Sequence, residues 1–207
     1  MSKLYCFFGK ISTVFTRLLF FPSLLHHVIM GKFFNHNWYD RIDETVLLGA
    51  LPLRSLADKL INEENVRGVV SMNEDYELYF FCVTSAEWER YNVEFLQLSS
   101  KDLCFEAPSQ DKLIKGVQFI QKISKSKNSV YAHCKAGRTR SPTLVGCYLM
   151  SKNGWSPKEA VNFMRKKRAQ ITIFEKHWDA LEKYYENCIH GSIKENKFYE
   201  LLLILFS

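Results

Sequence analysis

His133-Cys134-Lys135-Ala136-Gly137-Arg138-Thr139-Arg140-Ser141 joins one apolar run, Val130–His133, to another that follows Pro142. The first run reads as a brief buried strand and Leu144–Met150 as part of an apolar helix. Pro142 suits that helix, because the first turn does not need its missing hydrogen bond. Gly137 and its small neighbours let the intervening backbone curl until its amide hydrogens converge. The helix adds free N-terminal amides and the positive end of its dipole, the general recipe for holding an oxyanion.

The other residue types in this loop have physical reasons too. A cysteine ringed by amides and by Arg140 is expected as the thiolate, able to attack phosphorus without a separate base. Arg140 can hold two phosphoryl oxygens at once. The Ser141 hydroxyl can donate to the sulfur and ease its departure in a second step. Lys135, Ala136, Gly137, Arg138 and Thr139 line the phosphate, and His133 orders the loop or tunes the thiolate. A buried structural cysteine is the reading that suits Cys147, inside Leu144–Met150. At Cys134 it would crowd Lys135, Arg138 and Arg140 together with no counter-charge, a costly arrangement unless an anion binds. Cys134 as nucleophile and Arg140 as phosphate clamp imply phosphomonoester hydrolysis through a phosphocysteine.

Working outward, strand patterns appear at Thr45–Leu48, Val66–Met72 and Val93–Leu98, and helical spacing over Asp111–Lys125. Phe80–Tyr91 is mixed and helical in part. Ser55 is expected to cap a helix through Leu56, Leu60 and Ile61. Ser156 with Glu159 forms a capping-box pattern with Pro157 at the first helical position. Thr172 with Glu175 repeats that pattern before Trp178, Leu181 and Tyr185. Strands alternating with helices imply an α/β fold, a central mainly parallel sheet flanked by helices.

With 207 residues, 47% apolar and 24% charged, the chain suits one globular domain with a sizeable core. Its net charge of +6 is uneven: residues 1–39 hold Lys3, Lys10, Arg17 and Lys32 and no acid. The near-neutral remainder lacks the basic stripe of a nucleic-acid binder. Lys3, Lys10 and Arg17 recur every seven residues on one helical face, with Leu4, Phe7, Ile11, Phe15 and Leu18 on another. A membrane span needs about 20 largely uninterrupted apolar residues. Arg17, Pro22, His26 and His27 interrupt this one, so residues 1–37 read as a membrane-surface anchor or mitochondrial targeting segment. Six cysteines without a CxxC or zinc-like spacing suit a reducing compartment.

The stretch His-Cys-five residues-Arg-Ser resembles the signature of the cysteine-based phosphatases, and residues 38–187 resemble a dual-specificity-type member with a protein-tyrosine-phosphatase-like fold. A narrower resemblance, to the mitochondrial protein-tyrosine-phosphatase-like group, rests on four further stretches. They are Asn73-Glu74-Asp75-Tyr76-Glu77, Leu98-Ser99-Ser100-Lys101-Asp102, Lys115-Gly116-Val117-Gln118-Phe119 and Asn153-Gly154-Trp155-Ser156-Pro157. That group dephosphorylates phosphatidylglycerophosphate in cardiolipin synthesis, needs no metal or other cofactor, and faces membrane phospholipid. The resemblance implies that Asp102 is the general acid and that Tyr76, with its acidic neighbours, shapes access to the pocket. From the residues alone, Asp75, Glu74 and Glu106 are rivals for the acid.

Where the group has Ile-Arg-Pro-Ser-Gln, this chain has Ile173-Phe174-Glu175-Lys176-His177, which puts any assisting role of that loop in question. The expectation is a monomeric lipid phosphatase at an anionic phospholipid membrane, mitochondrial and matrix-facing on the inner membrane, with a cytoplasmic location as the alternative. Residues 188–207 form an apolar tail. A dual-specificity protein phosphatase and a catalytically weak phosphate-binding scaffold are the competing readings.

Overall fold

Alternation along the strands explains the architecture of this computed structural model, which describes residues 37–79 and 82–190 and Pro22. The N-terminal amphipathic segment and the apolar Leu201–Phe206 tail fall outside the described residues, apart from that one proline. Val46, Leu48, Val70, Val130 and Ala132 face one core, while Leu47, Val69 and Tyr131 face a second. Burial on both faces is what a sheet covered by helices on each side requires. Each fully buried valine or leucine contributes roughly 1.5–3 kcal/mol.

The strands are β1 (Tyr39–Arg41), β2 (Val46–Gly49), β3 (Val66–Ser71), β4 (Glu94–Gln97) and β5 (Ser129–His133). Their order across the sheet is β1-β2-β5-β3-β4, with only β1 antiparallel to its neighbour. β1 carries no apolar alternation and is legible only through its pairing with β2. In chain order the helices are α1 (Ala57–Asn62), α2 (Asp75–Leu78), α3 (Ser85–Arg90), α4 (Gln110–Ser124), α5 (Arg140–Asn153), α6 (Pro157–Lys167) and α7 (Glu175–Tyr184). α1 and α3 cover the second core, where Trp88 is fully buried. α4 to α7 pack over the first.

Capping follows expectation at α6, where Glu159 accepts from the Ser156 amide at 2.8 Å and Ser156 Oγ from the Glu159 amide at 3.4 Å. Thr84 and Glu87 make the same reciprocal pair at α3. Gly154 ends α5 in the left-handed conformation, φ 69°, which glycine adopts without strain. Two expected caps are corrected. Ser55 lies inside a 3-10 turn, Arg54–Leu56, that leads into α1. α7 starts after Phe174, so Thr172 lies before its first turn, and its amide is spent on the Arg138 carbonyl at 2.8 Å. The charged stretch after β3 is the short helix α2, and a π-helical turn, Tyr185–His190, follows α7. Cys82, Cys104, Cys134 and Cys147 are free thiols.

Candidate active site

β3, β4 and β5 run parallel, with Ser71 opposite both Gln97 and His133 at their C-terminal ends. The segments that follow carry Glu77, Asp102 and Cys134. The sheet therefore delivers three chemically active segments to one edge, where α5 also begins, the usual place for a site in an α/β sheet.

The loop between Cys134 and Arg140 is held from outside by its carbonyls. Arg168 Nε donates to the Gly137 oxygen at 3.0 Å and Nη2 to the Ala136 oxygen at 3.1 Å. The Leu51 and Thr172 amides donate to the oxygens of Lys135 and Arg138. Across a trans peptide the C=O of one residue and the N–H of the next point oppositely. Carbonyls drawn outward therefore turn the amides of Ala136, Gly137, Arg138 and Thr139 inward. Gly137 has φ 64°, and a Cβ there would stand 2.4 Å from the Gly49 oxygen, so only glycine fits. Arg168, itself anchored to Asp40 at 2.6 Å, belongs to no motif and sequence reading passed over it.

Arg140 is 1% exposed and grips Glu77 end-on, Nη1 to Oε2 at 2.8 Å and Nη2 to Oε1 at 2.9 Å. Nη1 also reaches the Ser100 and Met72 carbonyls at 2.9 and 3.3 Å. Burial opposes its charge, but the Glu77 carboxylate more than offsets this and raises its pKa. Nε has no partner among the described residues. The edge formed by Nε and Nη2 is thus the one left to clamp a phosphoryl group. Glu77 positions the clamp, a role signalled in the sequence only by its place in the acidic 74–77 stretch.

Cys134 is buried, which by itself raises a thiol's pKa, yet Arg140 and the Ser141 hydroxyl and amide bring it below the ordinary value. Ser141 Oγ has no other partner among the described residues. Asp102 has one carboxylate oxygen paired with Lys135 Nζ and the other 3.2 Å from Arg140 Nη2. Burial pushes its pKa up, and the two cations overcome that and hold it low.

The rival acids are elsewhere. Asp75 accepts from Gln97 at 2.8 Å, Glu106 pairs with Lys101 at 3.3 Å, and Glu74 caps α2. Tyr76 is partly buried against Leu51 and Cys82 beside Glu77. Lys135 is half-buried and reaches Asp102, whereas Arg138 is exposed on the rim.

His177, in the first turn of α7, is fully buried with neither ring nitrogen bonded among the described residues. Burial, aided by Arg140, lowers its pKa to about 4 against the pull of Asp102. Burial likewise takes His133 to about 3. Both pKa values are depressed in the folded state, so the unfolded chain takes up protons first as pH falls. Stability is intact above about pH 6.5 and is lost as pH drops through the folded values. At about pH 5 each histidine costs on the order of 2 kcal/mol. Urea unfolding near pH 7.5 and pH 5 should show this drop, and His177→Gln should remove roughly half of it. An acid sensitivity unchanged by that substitution would mean His177 is not held neutral by the fold.

A family model described as "Dual specificity phosphatase, catalytic domain" matches residues 60–187. The chain is 46% identical over 185 residues to the Homo sapiens "Phosphatidylglycerophosphatase and protein-tyrosine phosphatase 1", covering 88% of this chain and 92% of that one. It is 36% identical over 170 residues to "Phosphatidylglycerophosphate phosphatase PTPMT1" of Arabidopsis thaliana, covering 82% of this chain and 49% of the plant protein. The crystal structure of PTPMT1 shares 45% identity and a TM-score of 0.72, covering 76% of this chain and 99% of that one. The chain belongs to the PTPMT1-like group of dual-specificity-type cysteine phosphatases and is a cysteine-dependent phosphomonoester hydrolase.

Proposed function

We propose that this enzyme dephosphorylates phosphatidylglycerophosphate to phosphatidylglycerol, supplying cardiolipin synthesis. The observation that carries the reading is the cradle itself. Inward amides, the Nε–Nη2 edge of Arg140, Lys135 and Asp102 meet at a low-pKa thiol, in a chain 46% identical to a human phosphatidylglycerophosphatase.

In this mechanism the Cys134 thiolate attacks phosphorus, the S–P bond forms, and the P–O bond to the lipid breaks. Asp102 gives its proton to the departing alkoxide. Water then attacks the phosphocysteine, Asp102 takes its proton, and the S–P electron pair returns to sulfur, steadied by Ser141. Arg140 and Lys135 face Asp102 and favour its ionised form. A phosphate dianion neutralises the first and draws on the second, so burial then favours the protonated acid the first step needs. Lys135, Arg138 and the amides of Ala136, Gly137 and Thr139 bind the anionic headgroup, and Tyr76 borders its entry.

The domain limits follow the same reading: a basic anchoring or targeting segment at 1–37, the phosphatase domain at 38–187, and an apolar tail at 188–207. The protein works as a monomer, peripheral on the matrix side of the mitochondrial inner membrane. Among the described residues no helix is long and apolar enough to cross a membrane. The human relative's name also includes protein-tyrosine phosphatase activity, which keeps a phosphoprotein substrate as a second reading.

Purified protein assayed against phosphatidylglycerophosphate, phosphoinositides and phosphotyrosine peptides tests the choice. The expected result is a kcat/KM at least tenfold higher on phosphatidylglycerophosphate than on any peptide. Faster turnover of the peptides would overturn the lipid reading and leave the chemistry standing.

A further inference from the structure

Four large aromatic or aliphatic side chains are exposed among the described residues: Tyr79 at 76%, Tyr91 at 46%, Phe105 at 63% and Phe174 at 42%. Three of them belong to the segments that build the site. Tyr79 follows Glu77 by two residues and Phe105 follows Asp102 by three. Phe174 precedes His177 by three, with its ring centroid 6.3 Å from the imidazole. Three residues of chain span at most about 11 Å, so none of these rings can stand far from the cradle. Tyr91 differs: it precedes β4 and so lies toward the opposite end of the parallel sheet.

Aromatic side chains in water are unfavourable, and exposed ones gathered around a catalytic mouth mark a contact surface. Cations stand with them. Arg138 is exposed on the loop rim, and Lys101 shares its charge with Glu106 at 3.3 Å.

We propose that Tyr79, Phe105 and Phe174 form an interfacial collar that seats the catalytic mouth on an anionic phospholipid surface. The proposal rests on the lipid-substrate reading and names the residues of the folded domain that meet the membrane. A diacyl phosphomonoester keeps its chains in the bilayer, so its phosphate stays at headgroup level. Cys134 is only 3% exposed at the base of its cradle. The mouth must therefore come down to the headgroup plane before the phosphate can reach the sulfur. Aromatic rings settle at that depth, where an apolar body and a polar surround are both satisfied. Arg138 adds attraction to anionic lipid. The collar acts separately from residues 1–37, because it orients the mouth rather than tethering the chain.

The test uses the full chain with Tyr79→Ser, Phe105→Ser and Phe174→Ser combined, beside Tyr91→Ser as control. Substrates are phosphatidylglycerophosphate in phosphatidylcholine–phosphatidylglycerol vesicles and the same headgroup freed of its acyl chains. The expected outcome is a tenfold or greater loss on vesicles, hydrolysis of the free headgroup within about twofold of the parent, and no effect of the control. Equal losses on both substrates, or none on either, would overturn the collar. A second measurement does not depend on which lipid is hydrolysed. Phe105→Trp protein, compared with the parent, is mixed with substrate-free anionic vesicles carrying brominated acyl chains. Added quenching of indole fluorescence supports the collar even if phosphatidylglycerophosphate proves not to be the substrate. Quenching no greater than in the parent refutes it, and points to a protein partner on the same aromatic face.

Discussion

Serine in place of Cys134 is expected to lower turnover by about four to six orders of magnitude, the scale of losing a covalent nucleophile. Binding of inorganic phosphate or vanadate should survive the change. The two properties separate because different atoms supply them. The anion is held by inward amides and by the Nε–Nη2 edge of Arg140, which the substitution leaves in place. The attack needs a sulfur that is ionised near neutral pH, and Arg140 and Ser141 lower the pKa of Cys134 against its burial. A serine hydroxyl in the same position has a far higher pKa and no base aimed at it. Steady-state assays with isothermal titration of phosphate would decide it. Activity within tenfold of the parent would end the phosphocysteine mechanism for this chain.

Asp102→Asn should slow a lipid phosphomonoester by about 10²–10⁴-fold, the usual range of general acid catalysis. The same change should matter at least tenfold less for a nitrophenyl phosphate, whose phenolate leaves without a proton. Breakdown of the phosphocysteine should also slow, because the carboxylate that gave the proton must take one from water. Asp75→Asn and Glu106→Gln should show no dependence on the leaving group, since Gln97 and Lys101 hold those carboxylates outside the cradle. Equal losses for Asp102→Asn on the two substrates would remove it from the acid's role. A loss specific to the poor leaving group at Asp75 would move that role to the 74–77 segment.

These two predictions differ in how much the sequence contributed. The strand, loop and helix around Cys134, Arg140 and Ser141 were legible because they are contiguous and each has a local signature. The capping pair at Ser156 and Glu159 was legible for the same reason, since its hydrogen bonds close within three residues. Thr172 and Glu175 carry the identical pattern and fail. Packing of the preceding segment against the phosphate loop commits the Thr172 amide to Arg138 instead. A capping pattern states what a helix end could do if nothing else claimed the same groups.

Other parts of the site had no local signature. Glu77 meets Arg140 across 63 residues of chain, and Arg168 reaches the Gly137 carbonyl across 31. Neither partner looks unusual in its own stretch. From composition and spacing Asp102 was one acid among several, and family resemblance alone singled it out. The structure separates it from Asp75 and Glu106 by bringing β3, β4 and β5 side by side, so that among the acids of the described residues Asp102 is the one paired with both Lys135 and Arg140. His177 is a further example: the sequence showed a departure from the family pattern, and burial lowers the pKa of an imidazole with no hydrogen bond among the described residues.

The α/β class, and the loop from Cys134 to Arg140 between a buried strand and a helix, could be read from the sequence, because short-range patterns suffice for those. The packed fold was needed to show which carboxylate pins Arg140 and which one meets both Lys135 and Arg140. Each of those depends on the parallel alignment of distant strands, and an alignment is a property of the packed sheet rather than of any stretch within it.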